Sequence, residues 1–265
     1  MEINGVDLHV DDTLSGAPAV VFSHGLLFST VMFDPQVAAL KDRYRCVAYD
    51  HRGQGQSAVA DSGYDMDTLT DDAAALIEQL GIAPCHFVGL SMGGFVGLRL
   101  AIRRPDLLKS LTLIESAADA EPKENHFKYR MLNFIARWFG LGVVAGQVMP
   151  IMFGKTFLND PARRQERDKW RAHIASGNRT GVTRAVSGVV DRDGVFDDLD
   201  RIKTPTLIIV GEEDVATVPE KSEAMHRAIP GSQLRRIPRA GHSATLEEPE
   251  AVTAALAEFL QTIDS

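Results

Sequence analysis

The chain has 265 residues and a formal net charge of −8, with 28 Lys and Arg against 36 Asp and Glu. A hydrophobic fraction of 45% is ordinary for a globular enzyme, and the length suits one large domain carrying an insertion better than two domains. The acidic balance argues against a nucleic-acid surface, which needs a basic stripe, and no apolar run reaches the roughly 18 residues of a membrane span, so neither partner is expected.

Residues 2–10 read as a hairpin turning at Asn4-Gly5. The opening Met1-Glu2-Ile3-Asn4-Gly5 has no basic segment and no apolar stretch of signal-peptide length, so the cytoplasm is the expected compartment. From Ala19 onward, strands and helices alternate. Strands are expected near 19–23, 45–49, 85–89 and 110–114, with helices near 34–41, 68–80 and 92–103. Asp67, Asp71 and Asp72 suit the positive end of the second helix, and Gly81 suits its exit. This alternation predicts a mostly parallel sheet with helices on both faces. The two cysteines, Cys46 and Cys85, fall in the strands and read as small buried hydrophobes, not as a disulfide.

The alternation stops near Ser116 and resumes at Thr204-Pro205, so residues 1–116 and 204–265 form the expected core and 117–203 a helical cap inserted into it. Within the insertion, Phe127, Met131, Phe134, Ile135 and Trp138 share one helical face. An apolar run from Gly140 to Phe153 is interrupted by Pro150, and helices follow near 161–176 and 178–190. The aromatic and methionine side chains are expected mainly to pack the cap onto the core. A minority should line a substrate pocket: Phe28, Trp138, Met149, Met152, Phe153 and Val215, with Phe33 and Val218 as further candidates. After the insertion come a strand at 206–210, another at 233–237, and a last helix over 249–263 with Ala251, Val252, Ala255, Leu256, Phe259 and Leu260 on its apolar stripe.

The chemistry centres on Phe87-Val88-Gly89-Leu90-Ser91-Met92-Gly93-Gly94. A serine at a strand-to-helix corner, flanked by glycines, is held in a tight turn that presents its hydroxyl at a helix N-terminus. A serine hydroxyl needs a base and a group to orient that base. His242, in the loop after the strand at 233–237, is the candidate base, and His51 a lesser one. Asp214, directly after the strand at 206–210, is the candidate acid, with Glu213 and Glu115 as rivals. The order Ser91, Asp214, His242 is the order this kind of site requires. The backbone N–H groups of Leu26 and Met92 are candidate oxyanion donors. No metal or cofactor motif is present. Arg52-Gly53-Gln54-Gly55-Gln56-Ser57 is glycine-rich but lacks the lysine of a phosphate loop.

Together His24-Gly25, Asp50-His51-Arg52-Gly53-Gln54-Gly55-Gln56-Ser57, Gly89-Leu90-Ser91-Met92-Gly93-Gly94, Gly211-Glu212-Glu213-Asp214 and Ala240-Gly241-His242 resemble the α/β-hydrolase-fold serine hydrolases over nearly the whole chain. Within that superfamily the chain is similar to small esterases, 3-oxoadipate enol-lactonases and cofactor-free perhydrolases. The resemblance implies hydrolysis of a small carboxylic ester or lactone with an apolar acyl or ring part, without a cofactor. Perhydrolysis, C–C bond cleavage and a non-catalytic binding module on the same scaffold are the alternatives. Oligomeric state is not legible.

Overall fold

A computed structural model describes residues 1–14 and 18–265. Asn4 and Gly5 both adopt positive φ, the pairing a tight two-residue turn requires, and they join β1 (Glu2–Ile3) to β2 (Val6–Asp7). The hairpin ends earlier than the sequence pattern suggests. β3 (Val10–Asp12) leaves it to become the antiparallel edge of the main sheet.

That sheet has seven strands in the order β3-β5-β4-β6-β7-β8-β9, completed by β4 (Ala19–Ser23), β5 (Arg45–Tyr49), β6 (Cys85–Leu90), β7 (Leu108–Ile114), β8 (Thr206–Gly211) and β9 (Gln233–Ile237). All pairs except β3·β5 are parallel. The four central strands are buried on nearly every residue, as their unbroken apolar runs demand. Helices α1 (Asp34–Leu40), α2 (Met66–Gln79) and α3 (Met92–Arg103) connect the first strands. Asp65 caps α2 by accepting from the Thr68 N–H, and Gly81 follows the helix with a positive φ of 64°.

Five helices separate β7 from β8: α4 (Lys123–Phe139), α5 (Leu141–Met152), α6 (Lys155–Asn159), α7 (Arg164–Ser176) and α8 (Arg179–Val190). Pro150 does not interrupt α5. It lies in the last turn, where the helix runs on to Met152 and only one internal bond is lost. The face of α4 expected to pack onto the core points outward instead. Phe127, Met131, Phe134 and Trp138 are exposed, and the helix packs through Leu132, Ile135 and Ala136 against Leu141, Val144 and Val182. The sequence period gave the helix correctly. It could not say which of two apolar stripes faces inward.

After the insertion, α9 (Pro219–Ala228), α10 (Ala244–Glu247) and α11 (Pro249–Asp264) complete the fold. Val252, Leu256, Phe259 and Leu260 bury the stripe of α11 in the core on one face of the sheet. Both cysteines are free and buried.

Candidate active site

The turn from β6 into α3 is built on close backbone approach. A Cβ on Gly93 would lie 2.0 Å from the Ser23 carbonyl oxygen, and one on Gly89 would lie 2.2 Å from that of Gly93. No side chain fits at either position. Ser91, between them, takes φ 50° and ψ −109°, a left-handed conformation uncommon outside glycine and a sign of local strain. Its N–H is held by the Ile114 carbonyl, and its hydroxyl stands at the N-terminus of α3.

The loops after β8 and β9 are tied together by main-chain bonds. Glu212 N–H donates to Ile237 and Glu213 N–H to Ala240. This brings Asp214 and His242 to the same sheet edge as Ser91. His242 Nε2 lies 2.8 Å from Ser91 Oγ, and His242 Nδ1 lies 2.9 Å from Asp214 Oδ2. With the carboxylate at Nδ1, the proton of the neutral ring belongs on that nitrogen, leaving Nε2 to accept from the serine. All three side chains are buried.

Asp214 is held on every side. Its Oδ1 accepts from the N–H groups of Ala216 and Thr217, and its Oδ2 accepts from Thr217 Oγ1 as well as from His242. Burial alone would raise its carboxyl, but the His242 charge and these hydrogen bonds prevail and bring it down to about 2. The rivals stand elsewhere. Glu213 binds Thr156 through its backbone N–H and hydroxyl. Glu115, fully buried, accepts from the Gly211 N–H, and burial followed by the adjacent Asp214 charge pushes its carboxyl well above the usual range. His51 Nε2 bonds Ser23 Oγ rather than Ser91. His24 is buried in a bond with the Gly25 carbonyl while its Nε2 accepts from the His51 N–H.

The Leu26 loop lies against the elbow, since a Cβ on Gly25 would be 3.5 Å from Ser91 Cβ. Neither the Leu26 N–H nor the Met92 N–H has an acceptor among the described residues. Two supporting residues escaped sequence reasoning. Gln54 Oε1 accepts from the N–H of Leu27, whose φ of 74° turns the loop. The glycine-rich segment signalled a loop there without saying what it holds. Glu247 accepts from Gly241 and Ser243, on either side of His242, and from Gly154 of the insertion.

Burial raises the Glu247 carboxyl to about 7, with those three N–H donors opposing the rise. A carboxyl raised by folding contributes stability that is full below its ordinary value near 4.5 and lost as pH rises through about 7. Urea unfolding between pH 4.5 and 7 should therefore show a decline in wild type that Glu247→Gln lacks, with the variant less stable throughout because its amide cannot accept all three bonds.

A cavity of about 140 Å³ opens at Ser91 and His242 and runs beneath α4, α5 and α8. On the order of ten water-sized groups fit in that space. Leu26, Leu27, Phe95, Val144, Val148, Met152, Val182 and Val186 make most of its wall, with Glu121, Tyr129, Asn133 and Arg192 supplying polar groups. Of the expected pocket residues, only Met152 lines it. Phe28 and Phe153 pack on each other within the core, and Phe28 also meets Trp170 and His173. Met149 and Phe33 are buried in the same cluster. Trp138 is 65% exposed and Val215 62%, and Val218 is also at the surface. The valines of α5 and α8 line the same cavity as Ser91, a placement that needs the helix packing to be known.

Comparison with known proteins agrees with this architecture. Residues 18–249 match the family described as alpha/beta hydrolase fold. The chain belongs to that family. As an α/β hydrolase it is similar to 3-oxoadipate enol-lactonase 1 of Acinetobacter baylyi, at 33% identity over 93% of this chain and 90% of that protein. A thermophilic esterase from Thermogutta terrifontis superposes with a TM-score of 0.91 at 34% identity, covering 98% of this chain and 95% of that one. The enol-lactonase of Burkholderia xenovorans superposes at 0.90 with 29% identity, covering 98% of each. The chain is thus a hydrolytic enzyme of the α/β-hydrolase fold, and its relatives support cleavage of an ester or lactone.

Proposed function

We propose that this hydrolase cleaves a small carboxylic ester or lactone through an acyl-enzyme on Ser91. The observation that carries the reading is the unbroken row Ser91 Oγ, His242 Nε2, His242 Nδ1, Asp214 Oδ2, with links of 2.8 and 2.9 Å, on the wall of an apolar cavity. His242 Nε2 takes the hydroxyl proton as Ser91 Oγ attacks the carbonyl carbon. Asp214, ionised at neutral pH, holds the ring and stabilises the imidazolium. The free Leu26 and Met92 N–H groups receive the oxyanion. His242 then returns its proton to the departing alkoxide, and water, activated at the same nitrogen, releases the acid. In a lactone the alkoxide stays joined to the acyl group, so a single hydroxy acid leaves.

The helices over residues 123–190 act in this reading as a cap. They close an apolar roof over the reacting carbonyl and exclude water from it. A cavity of this size suits an acyl part of short to medium length. Across p-nitrophenyl esters of rising chain length, kcat/KM is expected to climb to medium chains and fall beyond that size, with small lactones also turned over. A protein that hydrolyses none of these esters or lactones overturns the reading.

A further inference from the structure

The outward face of α4 is apolar without being covered. Phe127, Met131, Phe134 and Trp138 recur at helical spacing along it, and Phe139 and Val143, on either side of the α4–α5 turn, are exposed as well. These six side chains are 47–78% exposed. The inward face of the same helix already has its partners in α5 and α8 and supplies Tyr129, Leu132 and Ala136 to the cavity above Ser91. The outward stripe therefore does nothing for the fold. A patch of this kind on a monomer marks a surface that meets something else.

Charge says what it meets. Residues 123–190 carry 12 Lys and Arg against 4 Asp and Glu, a net of +8, while the rest of the chain carries 16 against 32, a net of −16. Within α4 itself, Lys123, Lys128, Arg130 and Arg137 outnumber the single acidic residue, Glu124, and of the four Arg130 pairs with Asp191 beyond the helix. A basic amphipathic helix with Phe and Trp on its apolar face fits the boundary of an anionic bilayer, where the rings sit among headgroups and the cations reach lipid phosphates. A second copy of the chain fits poorly, because a two-fold contact through this face would bring two strongly basic units together. No helix among the described residues is long and apolar enough to cross a membrane, so the contact inferred is with its surface.

We propose that the outward face of α4 docks this enzyme onto an anionic phospholipid surface. Trp138 is exposed and Trp170, the other tryptophan, is buried, so emission reports on the patch directly. With vesicles of phosphatidylcholine containing about 30 mol% phosphatidylglycerol, wild type should co-sediment and its emission should shift to the blue. Partitioning should be about ten-fold weaker on pure phosphatidylcholine and should be lost in ~0.5 M NaCl. The triple variant Phe127→Glu, Phe134→Glu, Trp138→Glu should fail to co-sediment while hydrolysing a water-soluble short-chain ester as wild type does. Ser91→Ala should still bind vesicles, which separates this docking from the catalytic reading. Failure of wild type to bind either vesicle, equal binding to both, or self-association abolished by the triple variant and indifferent to lipid would each overturn the proposal.

Discussion

Ser91→Ala is expected to lower kcat on a good ester substrate by roughly a million-fold, leaving KM within a few-fold of wild type. The alcohol oxygen is the atom that bonds the carbonyl, and no other hydroxyl occupies the end of the His242–Asp214 row. What survives should be the rate that the Leu26 and Met92 donors and the apolar cavity supply to direct attack by water. The substitution removes one oxygen from a buried position whose backbone bonds do not involve it, so folding should hold. Steady-state kinetics on freshly purified variant, with the melting temperature measured alongside, checks both halves of the statement. A kcat within a hundred-fold of wild type would remove Ser91 from the chemistry.

Asp214→Asn should cost about four orders of magnitude in kcat, whereas Glu115→Gln should cost less than about ten-fold. The two carboxyl groups share one buried corner with His242, but their states differ. Asp214 is ionised and bonds the imidazole directly. An amide there offers an N–H to a nitrogen that must itself donate, which favours the wrong ring tautomer and removes the charge that stabilises the imidazolium. Glu115 is kept neutral by burial and by the Asp214 charge, so a neutral amide of the same shape changes little, and its carbonyl can still accept from Gly211. Measuring kcat for both variants on one ester decides between the acids. A larger loss in Glu115→Gln than in Asp214→Asn would exchange their roles.

The same corner sets an acid limit to stability. Folding holds the Asp214 carboxyl below its ordinary value of 3.8, so its contribution is complete above that pH and drains away as pH falls through about 2. Glu247 runs the other way, losing its contribution as pH rises through about 7.

The sheet was legible because its strands are short apolar runs ended by turn residues, and the strands expected at 19–23, 45–49, 85–89 and 110–114 lie within a residue or two of β4, β5, β6 and β7. The elbow was legible because only glycine satisfies a position where a Cβ would fall 2.0 Å from a neighbouring carbonyl oxygen. Long-range order was harder. Nothing local distinguishes Phe28 in the core from Val186 in the cavity wall, since both are apolar and only the packing of the insertion separates them. The stripe Phe127, Met131, Phe134, Trp138 shows the same limit: periodicity identifies a helix and its apolar face, but a face that awaits an external partner has the same pattern as one that fills a core. Glu115 and Glu247 stood next to readable motifs, yet their states depend on burial that the sequence does not display.

The central claim is that Ser91 is the nucleophile of a row completed by His242 and Asp214. Its most direct test is covalent trapping of the native enzyme with a fluorophosphonate, followed by peptide mass mapping. The account predicts one adduct per chain, on Ser91, formed at a rate that Asp214→Asn reduces strongly and absent from Ser91→Ala. An unlabelled wild-type enzyme, or an adduct carried by any other residue, would contradict it.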